Sequence, residues 1–376
     1  MTTRFARTVR MLLSLFLIAL PLLGYTAGNT IVIGQAIDLS GPNAAIGRDY
    51  VAGIKTHFDA INSAGGINGK HIQYIVRDDQ GEPGLSVAMA TELIERDQVD
   101  YLFGGVGDDI TRAVLEAPAF KRSGQILYAP LAASQLGGSH VLFWRPGYKQ
   151  EISYIFAYFG KLGLKSVGIV YQDSAANQDA FRSLNSEIKA HRMQLTGVAH
   201  VKSGGSQAET DMEAKRLAVS SPGFVIVIAD TISTALFLKQ FRNYAANMFV
   251  AGTSLINLST LREVAGAKAV EWTVFSQVVP NPNSATSLIQ VEHLNMMRKY
   301  RDEAVSSLTL EGFAAAKTLT KAIQQAKHSR SALQELIAQD RDIDLGGLSV
   351  GVRPHSDHLS SYLDIALFNK GSGLMF

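Results

Sequence analysis

No cysteine occurs anywhere in the 376 residues. Its absence removes disulfides, thiolate catalysis, iron–sulfur clusters and Cys-based zinc sites together, and with them lipid attachment through an N-terminal Cys. An excess of one charge is also missing. Lys and Arg number 35 against 33 Asp and Glu, a formal +2, so no basic surplus points to nucleic acid. No apolar run reaches the ~20 residues of a membrane-spanning helix, and no stretch has the polar, highly charged bias of disorder. What is present is 47% hydrophobic and 18% charged residues, enough apolar material for buried cores. The length is two to three times a typical domain of ~150 residues, which predicts two lobes rather than one.

The N-terminus reads as a signal peptide over residues 1–27. Arg4, Arg7 and Arg10 make a basic start, residues 11–23 are apolar, and the chain then runs towards small residues at Ala27. Tyr25 stands where small residues are usual. Removing this segment takes away three arginines and no acids, so the net charge falls from +2 to −1. Export without a lipid anchor predicts a monomer diffusing in the periplasm.

From Thr30 to Phe143 a short β-rich run, a turn and an amphipathic run repeat. Strands are predicted at 31–33, 72–76, 101–103 and 126–128. Tyr50, Ile54, Phe58 and Ile61 recur at helical spacing, as do Val87, Ala90, Leu93 and Ile94. Gly65 and Gly66 stop the first helix. The pattern begins again with strands at 167–170, 195–201, 224–228 and 248–250, separated by helical stretches at 175–192, 208–220 and 232–245. Residues 287–327 read as mostly helical and 362–368 as a closing strand. Alternation of this kind implies right-handed crossovers and parallel sheets, hence two Rossmann-like α/β lobes.

Motifs for chemistry are incomplete. Gly105-Val-Gly107 is half of a dinucleotide fingerprint, but Asp108 and Asp109 follow where a pyrophosphate would sit. Gly347-Leu-Ser349-Val-Gly351 matches a hydrolase pattern, yet Val352-Arg-Pro354 follows instead of a helix. His355, Asp357 and His358 are a conceivable metal group, and Asp78-Asp79 a conceivable carboxylate pair, though each also suits an ordinary loop. No cofactor, metal or catalytic residue is expected. In open α/β sheets ligands bind beyond the carboxyl ends of the strands. The loops so placed are 38–43, 105–110, 129–134, 172–177, 230–231 and 252–257. They are rich in Gly, Ser, Asn and Asp, which suits binding better than catalysis.

Several stretches together resemble the leucine/isoleucine/valine-binding family of type I periplasmic binding proteins, which serve ABC importers. They are Ile33-Gly-Gln-Ala-Ile-Asp-Leu-Ser-Gly-Pro42, Ala60-Ile-Asn-Ser-Ala-Gly-Gly-Ile-Asn-Gly-Lys70 and Val76-Arg-Asp-Asp79, then Arg145-Pro-Gly-Tyr148 with Glu151, and Val167-Gly-Ile-Val-Tyr-Gln-Asp173. The similarity runs from about Thr30 to the C-terminus. It implies two lobes, residues 28–144 with 278–347 and residues 145–277 with 348–376. Three hinge segments would join them near 143–146, 275–278 and 348–352. It also implies a ligand site drawn from Ser40, Asp108, Asp109, Ala132, Ser134, Tyr148, Gln172, Asp173, Asp230 and Ser254. The loops depart from the family's amino-acid binders. Asp108 and Asp109 stand where a hydroxyl residue usually meets the α-carboxylate, Leu131-Ala-Ala133 precedes Ser134, Ser254 replaces a carboxylate, and Ala176 replaces an aromatic. Asp108 either faces the ligand or caps the following helix.

Three functions compete at this stage. The first is a solute-binding protein that closes on an amino acid, or an amino-acid-like amine or amide, and presents it to an ABC permease. The second is a periplasmic sensor read by a separate membrane receptor. The third is a secreted hydrolase using Ser349 or the Asp78-Asp79 pair.

Overall fold

The computed structural model describes residues 30–132, 140–326, 329–338, 342–353, 356–371 and 373–376. The expected signal peptide, Ser134 and His355 lie outside these residues.

Strands β1 (Thr30–Ile37), β2 (His71–Asp78), β3 (Tyr101–Phe103), β4 (Leu127–Tyr128) and β5 (Val141–Leu142) form the first sheet in the order β2-β1-β3-β4-β5. Neighbours from β1 through β5 run parallel, with Ile33 opposite Tyr101 and Leu127 opposite Val141. The intervening helices are α1 (Ala44–Ser63), α2 (Pro83–Glu95), α3 (Asp108–Glu116) and α4 (Pro118–Ser123). β1 shows why the sheet is covered on both sides. Ile31, Ile33 and Ile37 enter one core, while Val32 and Ala36 belong to the other, the period-two alternation of a strand sandwiched between helices.

The second lobe repeats the arrangement with β6 (Ser166–Gln172), β7 (Gln194–Val201), β8 (Phe224–Ile228), β9 (Phe249–Gly252) and β10 (Thr273–Gln277). Its helices are α5 (Tyr148–Lys161), α6 (Gln178–Ala190), α7 (Gln207–Val219), α8 (Thr231–Phe241) and α9 (Leu258–Ala265). The chain then returns to the first lobe as α10 (Leu288–Tyr300), α11 (Ser307–Gln325), α12 (Ala332–Ala338) and a ribbon of β11 (Ile343–Asp344) with β12 (Ser349–Val350). The long helical run expected over 287–327 is therefore two helices. Arg301 is extended, and Ser306 caps α11 by accepting the Thr309 N–H at 3.1 Å.

β13 (Asp364–Asn369) and β14 (Gly373–Met375) complete the second sheet, in the order β14-β13-β10-β9-β8-β6-β7. β13 pairs antiparallel with β10 and with β14, so this sheet is parallel only as far as β10. The third passage between lobes also differs from expectation. Val350 and Leu359 pack in the core of the first lobe. Leu359 N–H bonds the Phe143 carbonyl at 2.9 Å, and Ser360 N–H the Trp144 carbonyl at 2.8 Å. The chain therefore joins the second sheet only at β13, and 348–352 stays with the first lobe, because the ribbon buries its apolar side there.

Candidate ligand cleft

Both sheets point the carboxyl ends of their parallel strands at one another, and each has a switch point where the strand order reverses. In the first lobe the chain leaves β1 for β2 on one side and β3 on the other; in the second it leaves β6 for β7 and then β8. Ligands bind at such crevices. A cavity of about 220 Å³ lies there, lined from the first lobe by Pro42, Asn43, Ile46, Val106, Gly107, Asp109 and Ile110, and from the second by loops after β6, β7, β8 and β9. The lobes stand closed over it. Arg112 Nη2 of α3 is 2.9 Å from Asp179 Oδ2 of α6, and Asn257 Nδ2 donates to Asp49 Oδ2 at 3.1 Å.

Of the ten predicted site residues, Asp109, Tyr148, Gln172 and Asp230 line the cavity. Asp230 is the N-cap of α8. Its Oδ1 accepts the Ser233 N–H at 2.7 Å, and its Oδ2 accepts Gln172 Nε2 at 2.7 Å. Gln172 Oε1 in turn accepts the Asp230 N–H at 2.8 Å. This reciprocal pair fixes the ends of β6 and β8 side by side. Tyr148 opens α5 and is 6% exposed. Burial, followed by the charges of Asp108 and Glu151, raises its phenol well above the usual value, so it stays a neutral O–H donor.

Asp108 and Asp109 are the first two residues of α3. Asp108 is buried, 1% exposed, whereas Asp109 reaches the cavity. The Asp109 Oδ1 accepts the Ile110 N–H at 2.9 Å and lies 2.8 Å from where a Cβ on Gly107 would stand. Gly107, at φ 110°, is the residue that leaves room for the carboxylate to fold back over the helix start.

The remaining predicted residues stand elsewhere. Ser40 Oγ donates to Asp78 Oδ2 at 2.6 Å, and Asp78 Oδ1 accepts the Leu39 and Gln80 N–H groups at 2.9 and 3.0 Å. The Asp78-Asp79 pair thus knits two loops together. Ala132 is fully buried in the first-lobe core, and Asp173 is exposed beside the Tyr171 hydroxyl. Ser254 is held beneath the cavity: its Oγ accepts Arg145 Nη1 at 3.1 Å, and its N–H donates to Glu151 Oε2 at 2.8 Å.

Those contacts belong to a buried hinge network. Arg145 Nε and Nη2 donate to the two Glu311 carboxylate oxygens at 2.9 and 2.6 Å, with both side chains almost wholly buried. Glu151 Oε2 also accepts the Ser276 hydroxyl at 2.6 Å, and His358 Nδ1 lies 2.6 Å from the Arg145 carbonyl. The segment of Ser276 thus reaches Arg145 through Glu151 and Ser254, and His358 is committed to the Arg145 carbonyl. No group of metal-ligating side chains occurs among the described residues. Ser349 lies on the β11–β12 ribbon, and the described residues 351–353 after its strand have no regular structure, where a nucleophile elbow needs a helix.

Sequence reasoning missed Ser203, Thr253, Leu255 and Ile256 as individual wall residues. Three of them fall in the loop expected at 252–257. Ser203 was findable from the Lys202-Ser-Gly-Gly205 turn that follows β7.

The chain matches the periplasmic binding protein family over residues 30–365. It is 22% identical over 316 residues to the Leu/Ile/Val-binding protein homolog 1 of Brucella melitensis, covering 81% of this chain and 80% of that protein. Its fold is similar to a substrate-binding periplasmic protein from Ralstonia solanacearum, with TM-score 0.84 and 26% identity over 92% of this chain and 99% of that one. It is also similar to the branched-chain amino acid transporter substrate-binding protein of Streptococcus pneumoniae solved with isoleucine, with TM-score 0.79 and 18% identity over 92% and 98%. A match that begins at the first strand and runs through both lobes into β13 shows that this chain belongs to the periplasmic binding proteins, a family of extracytoplasmic solute-binding proteins.

Proposed function

We propose that this protein captures one small solute, an amino acid or an amino-acid-like amine or amide, between its lobes and delivers it to the permease of an ABC importer. The observation that carries this reading is a small cavity walled from both lobes, with Asp109 on one and Asp230 and Gln172 on the other. Contacts with both walls exist only in the closed state, so a solute shifts the population towards closure. The names of the relatives, Leu/Ile/Val-binding and branched-chain amino acid binding, support an aliphatic body, which Ile46, Val106, Ile110, Leu255 and Ile256 would hold.

The protein works as a monomer that binds without turnover. It is exported with residues 1–27 removed, a reading supported by the basic and apolar start. The lobes comprise residues 30–144 with 278–360 and residues 145–277 with 361–376, a division supported by the core membership of Val350 and Leu359. Screening amino acids, amines and amides by melting shift, then comparing scattering profiles of the protein with and without the best stabiliser, tests this reading. A ligand at a hundred times its Kd should stabilise by ~2.7 kcal/mol and reduce the radius of gyration. A saturating stabiliser that leaves the scattering unchanged would sink the closure mechanism.

A further inference from the structure

We propose that the solute is recognised through a nitrogen head group, a carboxamide or an amine, and not through a carboxylate; this rests on the reading of the chain as a solute-binding protein. The N-terminus of a helix pointed into a cleft ordinarily attracts an anion. At α3 that place is already filled from within. The Asp109 carboxylate folds back over Gly107 and takes the Ile110 N–H at 2.9 Å. Two neighbouring donors are used as well, since Gly107 N–H bonds the Leu131 carbonyl at 3.0 Å and Thr111 N–H bonds the Gly107 carbonyl at 3.1 Å. A ligand carboxylate placed there would meet a fixed negative charge at contact. At an effective dielectric near 20 and ~4 Å, that repulsion amounts to about a thousandfold in affinity before solvent screening.

The opposite wall offers no positive charge to offset this. Its charged group is the Asp230 carboxylate, and no Lys, Arg or His lines the cavity among the described residues. Gln172 is occupied at both ends by Asp230. Among its polar lining residues, which include Asn43, Ser174, Ser203 and Thr253, the cavity combines an acceptor, Asp109, with a neutral donor, Tyr148. A carboxamide satisfies both, giving N–H to Asp109 and its carbonyl to Tyr148, and an amine satisfies the first.

Calorimetry with four probes that share one branched aliphatic body tests the head group: isovaleramide, isoamylamine, isovalerate and leucine, each against the wild type and Asp109→Asn. At least one nitrogen-headed probe should bind the wild type a hundredfold or more tighter than isovalerate, and Asp109→Asn should narrow that ratio at least tenfold with an unchanged melting curve. Isovalerate or leucine binding the wild type as tightly as the amide or amine would overturn the inference. So would an unchanged ratio in Asp109→Asn, or no binding by any of the four. In each case solute capture itself stands or falls separately, on the screen and the scattering comparison above.

Discussion

The carboxyl of Asp79 shows how a single residue near the cleft costs stability for the sake of loop geometry. It is fully buried, and burial pushes its pKa from 3.8 up to about 6 against the pull of the Gly81 N–H, with Asp38 and Asp78 adding repulsion. The folded chain thus holds this proton more tightly than the unfolded chain does. Its contribution is full below about pH 4 and is lost as pH rises through about 6. Asp79→Asn cannot ionise and keeps an acceptor for Gly81. It should stabilise the protein at pH 7.5 by about 1–3 kcal/mol and change little at pH 4, measured by urea unfolding at the two values. Equal effects at both would show that folding leaves the Asp79 pKa unshifted. At this scale the sequence was only partly legible. Asp109 could be placed from its position after β3, because a strand end and a helix start fix where the loop points. Ser254 could not, since what removes it from the cleft is Arg145 and Glu151, more than a hundred residues away in sequence.

Among the elements, the contact between α1 and α11 anchors the first lobe. Their backbones touch at a pair of glycines: a Cβ on Gly53 would stand 2.0 Å from the Thr309 carbonyl oxygen, and one on Gly312 would stand 2.2 Å from that of Tyr50. Alanine normally stabilises a helix interior by up to ~1 kcal/mol over glycine. Gly312→Ala should instead destabilise by about 2–3 kcal/mol, because the two helices must move apart and loosen the packing between them. A higher melting temperature in that variant would refute the close approach. The same interface buries His57 against Thr320 Oγ1 at 2.8 Å, and burial, then Lys317, lowers its pKa to about 3. His293, packed on Phe313 of α11, is lowered by burial to about 4. Both groups favour the folded state fully above pH 6.5 and progressively less below it, so His57→Gln should flatten the loss of stability between pH 6.5 and 4. The helical face Tyr50, Ile54 and Phe58 was readable because 3.6-residue periodicity marks it. β5, β11 and β12 were not, since each is two residues long and, unlike the equally short β4, falls outside the strand–helix alternation that the sequence displays.

For the molecule as a whole, one buried ion pair, Arg145 with Glu311, sits in the polar network that links Glu151, Ser254, Ser276 and His358. Removing one partner leaves a charge without compensation, so Glu311→Gln should cost about 3–5 kcal/mol, whereas Arg145→Met with Glu311→Leu should recover much of that. Equal losses for single and double variants would show that the pair contributes through something other than charge. The two-lobe plan was legible because the strand–helix alternation restarts near Val167. The third passage was misplaced because Gly347-Leu-Ser-Val-Gly351 reads as a turn in either lobe, and only its pairing with Ile343–Asp344 decides which.

The ion pair between Arg112 and Asp179 has a kinetic meaning. A solute behind it cannot leave until the lobes part, so its residence time is governed by an intramolecular opening rate. Arg112→Ala removes a part-exposed bridge of the kind usually worth about 0.2–1 kcal/mol. It should therefore shorten the residence of every solute the cleft accepts by the same small factor, whatever the differences in their affinities, with the effect shrinking as salt rises. Stopped-flow dissociation of two ligands of unequal affinity would expose the common factor. Unequal factors would mean that the bridge touches the solute rather than the door.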